Sequence, residues 1–135
     1  MAGTFMLEVV TPEDRLFKDE VQFVVVPEVN GELGVLRNHA PLLAALDIGV
    51  MRYTDVNGSI KKMAVSGGFM EVMDNEARVL AETAEHGTQI DVLRAKAAKE
   101  RAEARLAAKA SETNLTRAEL ALHRAIARIR AAELS

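Results

Sequence analysis

Up to residue 86 the chain reads as short apolar runs cut by turn residues. Phe5–Thr11 (FMLEVVT) stops before Pro12, and Val21–Pro27 (VQFVVVP) ends on a proline, so both suit strands. Ile48–Thr54 (IGVMRYT) and Ile60–Val65 (IKKMAV) flank Val56–Ser59 (VNGS). There Asn57-Gly58 can take the positive φ angles of a two-residue hairpin loop. Met73–Glu76 (MDNE) should reverse the next pair, Gly68–Met73 (GFMEVM) and Ala77–Glu82 (ARVLAE). Gly67-Gly68, inside Val65–Phe69 (VSGGF), predicts a tight bend between strands, because its spacing fits neither a phosphate loop nor a nucleophile elbow. Many short strands with regular turns predict a β-sandwich or barrel.

The pattern changes after Gly87, beyond which there is neither glycine nor proline. Ala, Arg, Glu, Lys and Leu dominate, all strong helix formers. The spacing predicts a helix over about 90–110, a turn, and a second helix over about 114–133, an antiparallel α-hairpin. Asp91 is placed to cap or open the first helix, where its charge suits the positive end of the dipole. Ser111–Thr116 (SETNLT) reads as the loop. Thr113 or Asn114 is a candidate cap, and Thr116 with Glu119 gives a weaker start signal. In the second helix Leu115, Leu122 and Ile129 recur by sevens, as do Ala118, Ala125 and Ala132, which predicts a narrow seam for one partner helix. Half of that seam is alanine, so it buries little. A buried leucine contributes roughly 1.5–3 kcal/mol and alanine much less. Such a hairpin packs closely without being locked.

Charge adds a second layer. Net charge is −3. Residues 1–88 hold 7 Lys+Arg against 14 Asp+Glu, and residues 89–135 hold 10 against 6. An acidic body joined to a basic one suggests two regions with different partners. On a helix with Asp91 at zero, Arg94, Arg101 and Arg105 fall at roughly 300°, 280° and 320°. They look out between one flank of Ile90, Leu93, Ala97 and Ala104 and another of Ala95, Ala98, Ala102 and Leu106. Arg117, Arg124 and Arg128 lie on the second helix, the last two four apart on one face. If the hairpin closes, guanidinium groups of both helices can converge, and their forked donors suit phosphate oxygens. Three readings stay open from the pattern: a solvated face, docking to an acidic protein surface, and a phosphate pocket.

Composition removes other classes. The chain has no cysteine, which rules out disulfides and thiolate zinc sites. His39, His86 and His123 are isolated, so no metal site is expected. No Walker loop and no assignable nucleophile–base set is present, which argues against an enzyme. The start, MAGTFMLEVVTPEDRLF, has no basic leader followed by an apolar run, and no apolar stretch reaches the ~20 residues of a membrane span. A nucleic-acid-binding adaptor is the rival for the basic half. That half has no Phe, Tyr or Trp to stack on bases, and the acidic half would repel DNA.

Gly31–Leu46 (GELGVLRNHAPLLAAL) fits the pattern G-x-L-G-[VI]-L-x-x-H-x-P-L, and Ala64–Val72 (AVSGGFMEV) fits A-[VI]-x-G-G-F-x-E-V. With the opening LEVVTPEDRLF and the two C-terminal segments IDVLRAKAAKERAEARL and RAELALHRAIARI, the whole chain resembles the epsilon-subunit family of F-type rotary ATP synthases, in its bacillus-like, ATP-binding form. The resemblance implies an α+β chain. Residues 1–86 would form a β-sandwich of about ten strands that binds the gamma subunit and the c-ring. Residues 87–135 would form a regulatory two-helix hairpin. It implies c-ring contact by Arg37, Asn38, His39, Ala40, Pro41 and Leu42. It implies a non-catalytic rotor subunit on the cytoplasmic face of a bacterial plasma membrane, peripheral and touching the membrane only through the complex, and a monomer when isolated.

The same resemblance implies ATP as a regulatory ligand of the folded hairpin through the motif I-D-x-x-R-A, filled here by Ile90, Asp91, Arg94 and Ala95. Glu85, Arg101, Arg124 and Arg128 match further residues lining that site by position. Glu85 and Asp91 would accept hydrogen bonds from the base or orient an arginine rather than face phosphate. In the extended state the hairpin would contact an acidic segment of the beta subunit and oppose ATP hydrolysis. The alternative within this family is a structural rotor coupler that never senses ATP.

Overall fold

The computed structural model describes residues 3–108 and 112–133. Nine strands are present among them: β1 (Phe5–Val10), β2 (Arg15–Glu28), β3 (Gly31–Val35), β4 (Leu42–Ala45), β5 (Gly49–Asp55), β6 (Ile60–Ser66), β7 (Phe69–Met73), β8 (Glu76–Leu80) and β9 (Thr83–His86). A 3-10 turn over Gly87–Gln89 leads into α1 (Val92–Ala108), and α2 (Glu112–Ala132) follows. The hydrogen-bonded strand order is β4-β7-β8-β1-β2-β5-β6-β9, with β3 on β2. The β-sandwich followed by two helices agrees with the sequence reading, with nine strands where about ten were expected.

The long strand β2 makes the sandwich. Its first half pairs with β1 and its second half with β5 and β3, and irregular register between Val21 and Phe23 marks the passage from one layer to the other. The sequence reading ended this strand at Pro27 and began it at Val21. Instead it starts at Arg15 and runs one residue past the proline. Pairing with β5 stops at Val25; Pro27 lies opposite Glu32 of β3, and its carbonyl accepts the Asp47 N–H at 2.8 Å on the other side, where the ladder is irregular and a missing N–H is tolerated. Leu7, Val9, Val21, Val24, Val26, Met51, Met63, Met70 and Val79 fill the space between the layers and are fully buried. On the outer face of β1, Glu8 is covered by Arg15 at 3.0 Å and Arg78 at 2.8 Å, the pairing a buried carboxylate requires.

One turn follows expectation and one departs from it. At Asp74-Asn75 both residues have positive φ, 52° and 59°, so this is the two-residue reversal. At Val56–Ser59 only Gly58 has positive φ. The Asp55 carboxylate accepts the backbone N–H groups of Asn57 and Ser59, both at 2.9 Å, and holds Asn57 out of the left-handed region. The loop therefore has three residues and closes on Gly58, not two closing on Asn57-Gly58. Gly67 and Gly68 form the predicted bend with φ of 68° and 100°. A Cβ on Gly68 would lie 2.0 Å from the Leu80 carbonyl oxygen, so only glycine fits.

The hairpin lies folded on the sandwich, with α2 resting on β5, β6 and β9 and α1 packed on α2. Ala118 and Ala125 are buried, as the seam predicted, and so are Ala95 and Ala102 of α1. A second buried stripe, Ala127 and Ala131, packs with Ala64 of β6 and Ile90. The heptad reading gave α2 one partner, whereas it has two, because the small residues between the heptad positions also admit a sheet. The second helix starts at Glu112, earlier than expected, which places Thr113, Asn114 and Thr116 inside it; Ser111 lies outside the described residues.

Candidate functional site

Folding the hairpin against β9 and the 3-10 turn creates a cavity of about 410 Å³. It is lined by Glu85, Gln89, Ile90, Asp91, Arg94, Ala95, Ala98, Arg101 and Arg128. Local structure sets most of these positions. Antiparallel pairing of β6 with β9 places Glu85 opposite Ala64, under α2. There Glu85 meets Arg128, with Oε1 3.4 Å from Nε. Extended backbone at Ile90 turns the chain into α1 and buries that side chain. Asp91 caps the helix: its Oδ1 accepts the Arg94 N–H at 3.1 Å, and its carbonyl accepts the Ala95 N–H at 3.0 Å. Arg94 and Arg101, two turns apart on α1, then border the cavity from one side, while Arg128 of α2 closes the other.

A smaller cavity of about 280 Å³ adjoins it and shares Glu85 and Arg128. Arg124 and Ala127 of α2 line it, as do Ser66 and Thr83, whose hydroxyls pair across β6 and β9. Seven of the eight sequence-predicted residues thus border the larger cavity, and Arg124 borders its neighbour. Arg105 and Arg117 border neither. Of the two expected apolar flanks, the one with Ala95 and Ala102 is buried along α1; on the other Ile90 is buried ahead of the helix, but Leu93 is 80% exposed. The arginines therefore sit at the margin of a buried face, not between two. Gln89 was not singled out from sequence, although it directly precedes the motif and the 3-10 turn carries it into the cavity wall.

Chemically, three guanidinium groups and two carboxylates meet over an alanine and isoleucine floor. The volume falls within the range of small-ligand pockets. Arg94 and Arg101 make no ion pair among the described residues, which leaves their forked donors available to an anion. Among the described residues no group of His, Asp and Glu is arranged to hold a metal ion.

The segment Arg37–Leu42 forms a separate surface between β3 and β4. Asn38 has φ of 59°, and its N–H donates to Asn75 Oδ1 at 2.7 Å, which ties the segment to the β7–β8 turn. Asn75 in turn donates from Nδ2 to the Thr4 carbonyl at 3.2 Å. His39 Nδ1 lies 2.7 Å from the Ala40 carbonyl, so that nitrogen carries the proton. Arg37, Asn38, Ala40 and Pro41 are exposed, and exposed Leu36, Leu43, Phe69 and Met73 extend the surface with apolar side chains. Neither this segment nor these side chains border the hairpin cavities.

Residues 4–87 match the family described as ATP synthase, Delta/Epsilon chain, beta-sandwich domain, and residues 88–133 match ATP synthase, Delta/Epsilon chain, long alpha-helix domain. The ATP synthase epsilon chain of Syntrophomonas wolfei subsp. wolfei is 68% identical over 131 residues, covering 97% of this chain and 96% of that relative. That of Desulfitobacterium hafniense strain DCB-2 is 58% identical over 132 residues, 98% of each chain. A chain in the structure of Euglena gracilis mitochondrial ATP synthase (OSCP/F1/c-ring) superposes with a TM-score of 0.82 over 96% of this chain and 81% of that chain. At 24% identity that likeness speaks for the fold.

Proposed function

Because the chain belongs to the delta/epsilon family of ATP synthase chains, we propose that it serves as a central-stalk rotor subunit whose hairpin senses ATP. It is a non-catalytic subunit. In this reading residues 1–86 bind the gamma subunit and the c-ring, and residues 87–135 regulate. The subunit sits peripherally on the cytoplasmic face of the membrane, held there by the complex, and is a monomer when isolated. No helix among the described residues is long and apolar enough to cross a membrane. The segment Arg37–Leu42, exposed at Arg37, Asn38, Ala40 and Pro41 and with exposed Leu36 and Leu43 beside it, is the candidate contact with the c-ring, since exposed apolar side chains grouped on one surface favour a partner.

One observation carries the sensing half of the reading: Arg94 and Arg101 from α1 and Arg128 from α2 border a single cavity formed where the folded hairpin meets β9 and the 3-10 turn. A ligand shifts an equilibrium only by its differential affinity for the two states. An anion held by both helices binds the closed state and not the open one. ATP therefore favours the folded, permissive hairpin. When ATP is scarce, the hairpin extends and its basic helices meet acidic side chains of the beta subunit, opposing hydrolysis. Asp91, already bonded to the start of α1, and Glu85, paired with Arg128, orient the site instead of meeting phosphate.

A coupler without ATP sensing is favoured by one feature: Glu85 and Asp91 share the cavity with the three arginines and reduce its positive charge. Calorimetric titration with ATP separates the two readings. The sensor predicts saturable 1:1 binding that Arg94→Ala weakens by about tenfold or more, as expected for loss of a charge-assisted hydrogen bond. Absence of heat at millimolar ATP would reduce the subunit to a coupler.

A further inference from the structure

The closed hairpin rests on a thin apolar contact, mostly alanine, together with a few polar ties. One tie lies away from the cavities. Lys62 of β6 donates from Nζ to the Glu133 carbonyl at 3.0 Å, just past the last residue of α2. The Glu133 N–H still bonds back to the Ile129 and Arg130 carbonyls, both at 3.2 Å, so that carbonyl stands at the very end of the helical ladder. The end of a helix carries partial negative charge, and a lysine ammonium there satisfies an orphan acceptor and opposes the dipole. Lys62 is also registered beside Arg52 of β5. Arg52 is held by Glu32 at 2.6 Å and lines the groove facing Ile126 and Arg130 of α2. The negative end of α2 therefore meets the Lys62 ammonium, while the charge of neighbouring Arg52 is taken up by Glu32. By contrast, α1 is held to the molecule chiefly through α2.

We propose that Lys62 is the latch of the closed hairpin. It lines neither cavity of the candidate site, yet by holding the end of α2 to β6 it keeps α2 over Glu85 and so keeps that site assembled. Lys62 is a positioning residue: it sets how often the site exists, not what the site binds. The proposal rests on the reading that the hairpin opens. An apparent dissociation constant rises as the competent fraction falls. Loss of the latch therefore weakens ATP binding without removing any group that lines the site.

The chain has no cysteine, so a single introduced thiol reports opening cleanly. Ala64 of β6 is 7% exposed beneath α2, at the wall of the smaller cavity, so Ala64→Cys in the full chain is labelled slowly through that opening and faster when α2 leaves the sheet. A lysine at a helix C-terminus contributes roughly 0.3–1 kcal/mol, so Lys62→Met should raise the labelling rate roughly two- to fivefold. Lys62→Arg, which keeps a cationic donor, should label like the parent. In Lys62→Met the half-saturating ATP concentration should rise by up to the same factor. The proposal is overturned if Lys62→Met labels at the parental rate, or if Lys62→Arg labels as fast as Lys62→Met. If ATP slows labelling in no variant but Lys62→Met is still labelled faster, the latch stands and the nucleotide reading falls.

Discussion

Tyr53 is the chain's sole tyrosine, and there is no tryptophan. Its ring packs on Phe17 with centroids 4.7 Å apart. Burial raises its pKa above the ordinary value of 10.0, and the nearby charges of Asp55 and Asp19 raise it further. A raised folded-state value makes the protonated phenol part of the fold. That contribution is complete below pH 10, the unfolded value, and is lost as pH climbs through the folded one. Stability should therefore decline above pH 10, with tyrosinate absorbance appearing later in the folded protein than in the unfolded chain. Tyr53→Phe should remove that part of the decline in denaturant titrations at stepped pH. At this scale the sequence was legible where one residue decides its own geometry. Asp91 is such a case: a short carboxylate ahead of a helix accepts an N–H from the first turn. It was misleading at Asn57-Gly58, where a third residue, Asp55, holds the loop by two hydrogen bonds that no dipeptide signal contains.

At the scale of elements, α2 decides whether the molecule is closed. It buries Ala118 and Ala125 along one stripe, and Ala127 and Ala131 beneath Ile90 and Ala64 along another. Alanine lets α2 approach the sheet closely but adds little apolar area, so closure depends on fit and on polar ties. Ala131→Leu inserts three heavy atoms into a fully buried site that lines neither cavity. Overpacking of this kind costs about 1–3 kcal/mol. The expected result is a hairpin that opens while the sandwich keeps its unfolding temperature, with faster labelling of Ala64→Cys and weaker ATP binding. An unchanged labelling rate would mean that the helix shifts to accommodate the leucine without leaving the sheet. Helix type and length were readable because propensity and spacing are local. The second stripe was not, because alanine carries no hydrophobic contrast until a sheet faces it.

For the whole molecule, two surfaces lie apart: the segment Arg37–Leu42 with its exposed apolar neighbours, and the arginine-lined cavities beneath the hairpin. In the proposed function the first couples and the second regulates. Arg124 and Arg128, four apart on one face of α2, then serve ATP when the hairpin is folded and beta-subunit carboxylates when it is extended. Arg124→Glu should weaken both ATP binding, by calorimetry, and inhibition of hydrolysis, in the reconstituted enzyme; loss of only one would show that the two states use different arginines. The sequence by itself determined a strand-rich half followed by a helical half, the turn at Asp74-Asn75 and the cap at Asp91, because strand alternation, helix propensity and short motifs act over a few neighbouring residues, whereas the residues around the cavity followed from the family resemblance and not from local preference. Tertiary structure alone decided that β2 passes between both layers, that α2 has two buried faces, that Arg128 pairs with Glu85, and that Lys62 reaches the end of α2. Those outcomes join residues 43 or more positions apart or depend on which surfaces meet, and local preference carries no information about partners brought together only when the chain closes on itself.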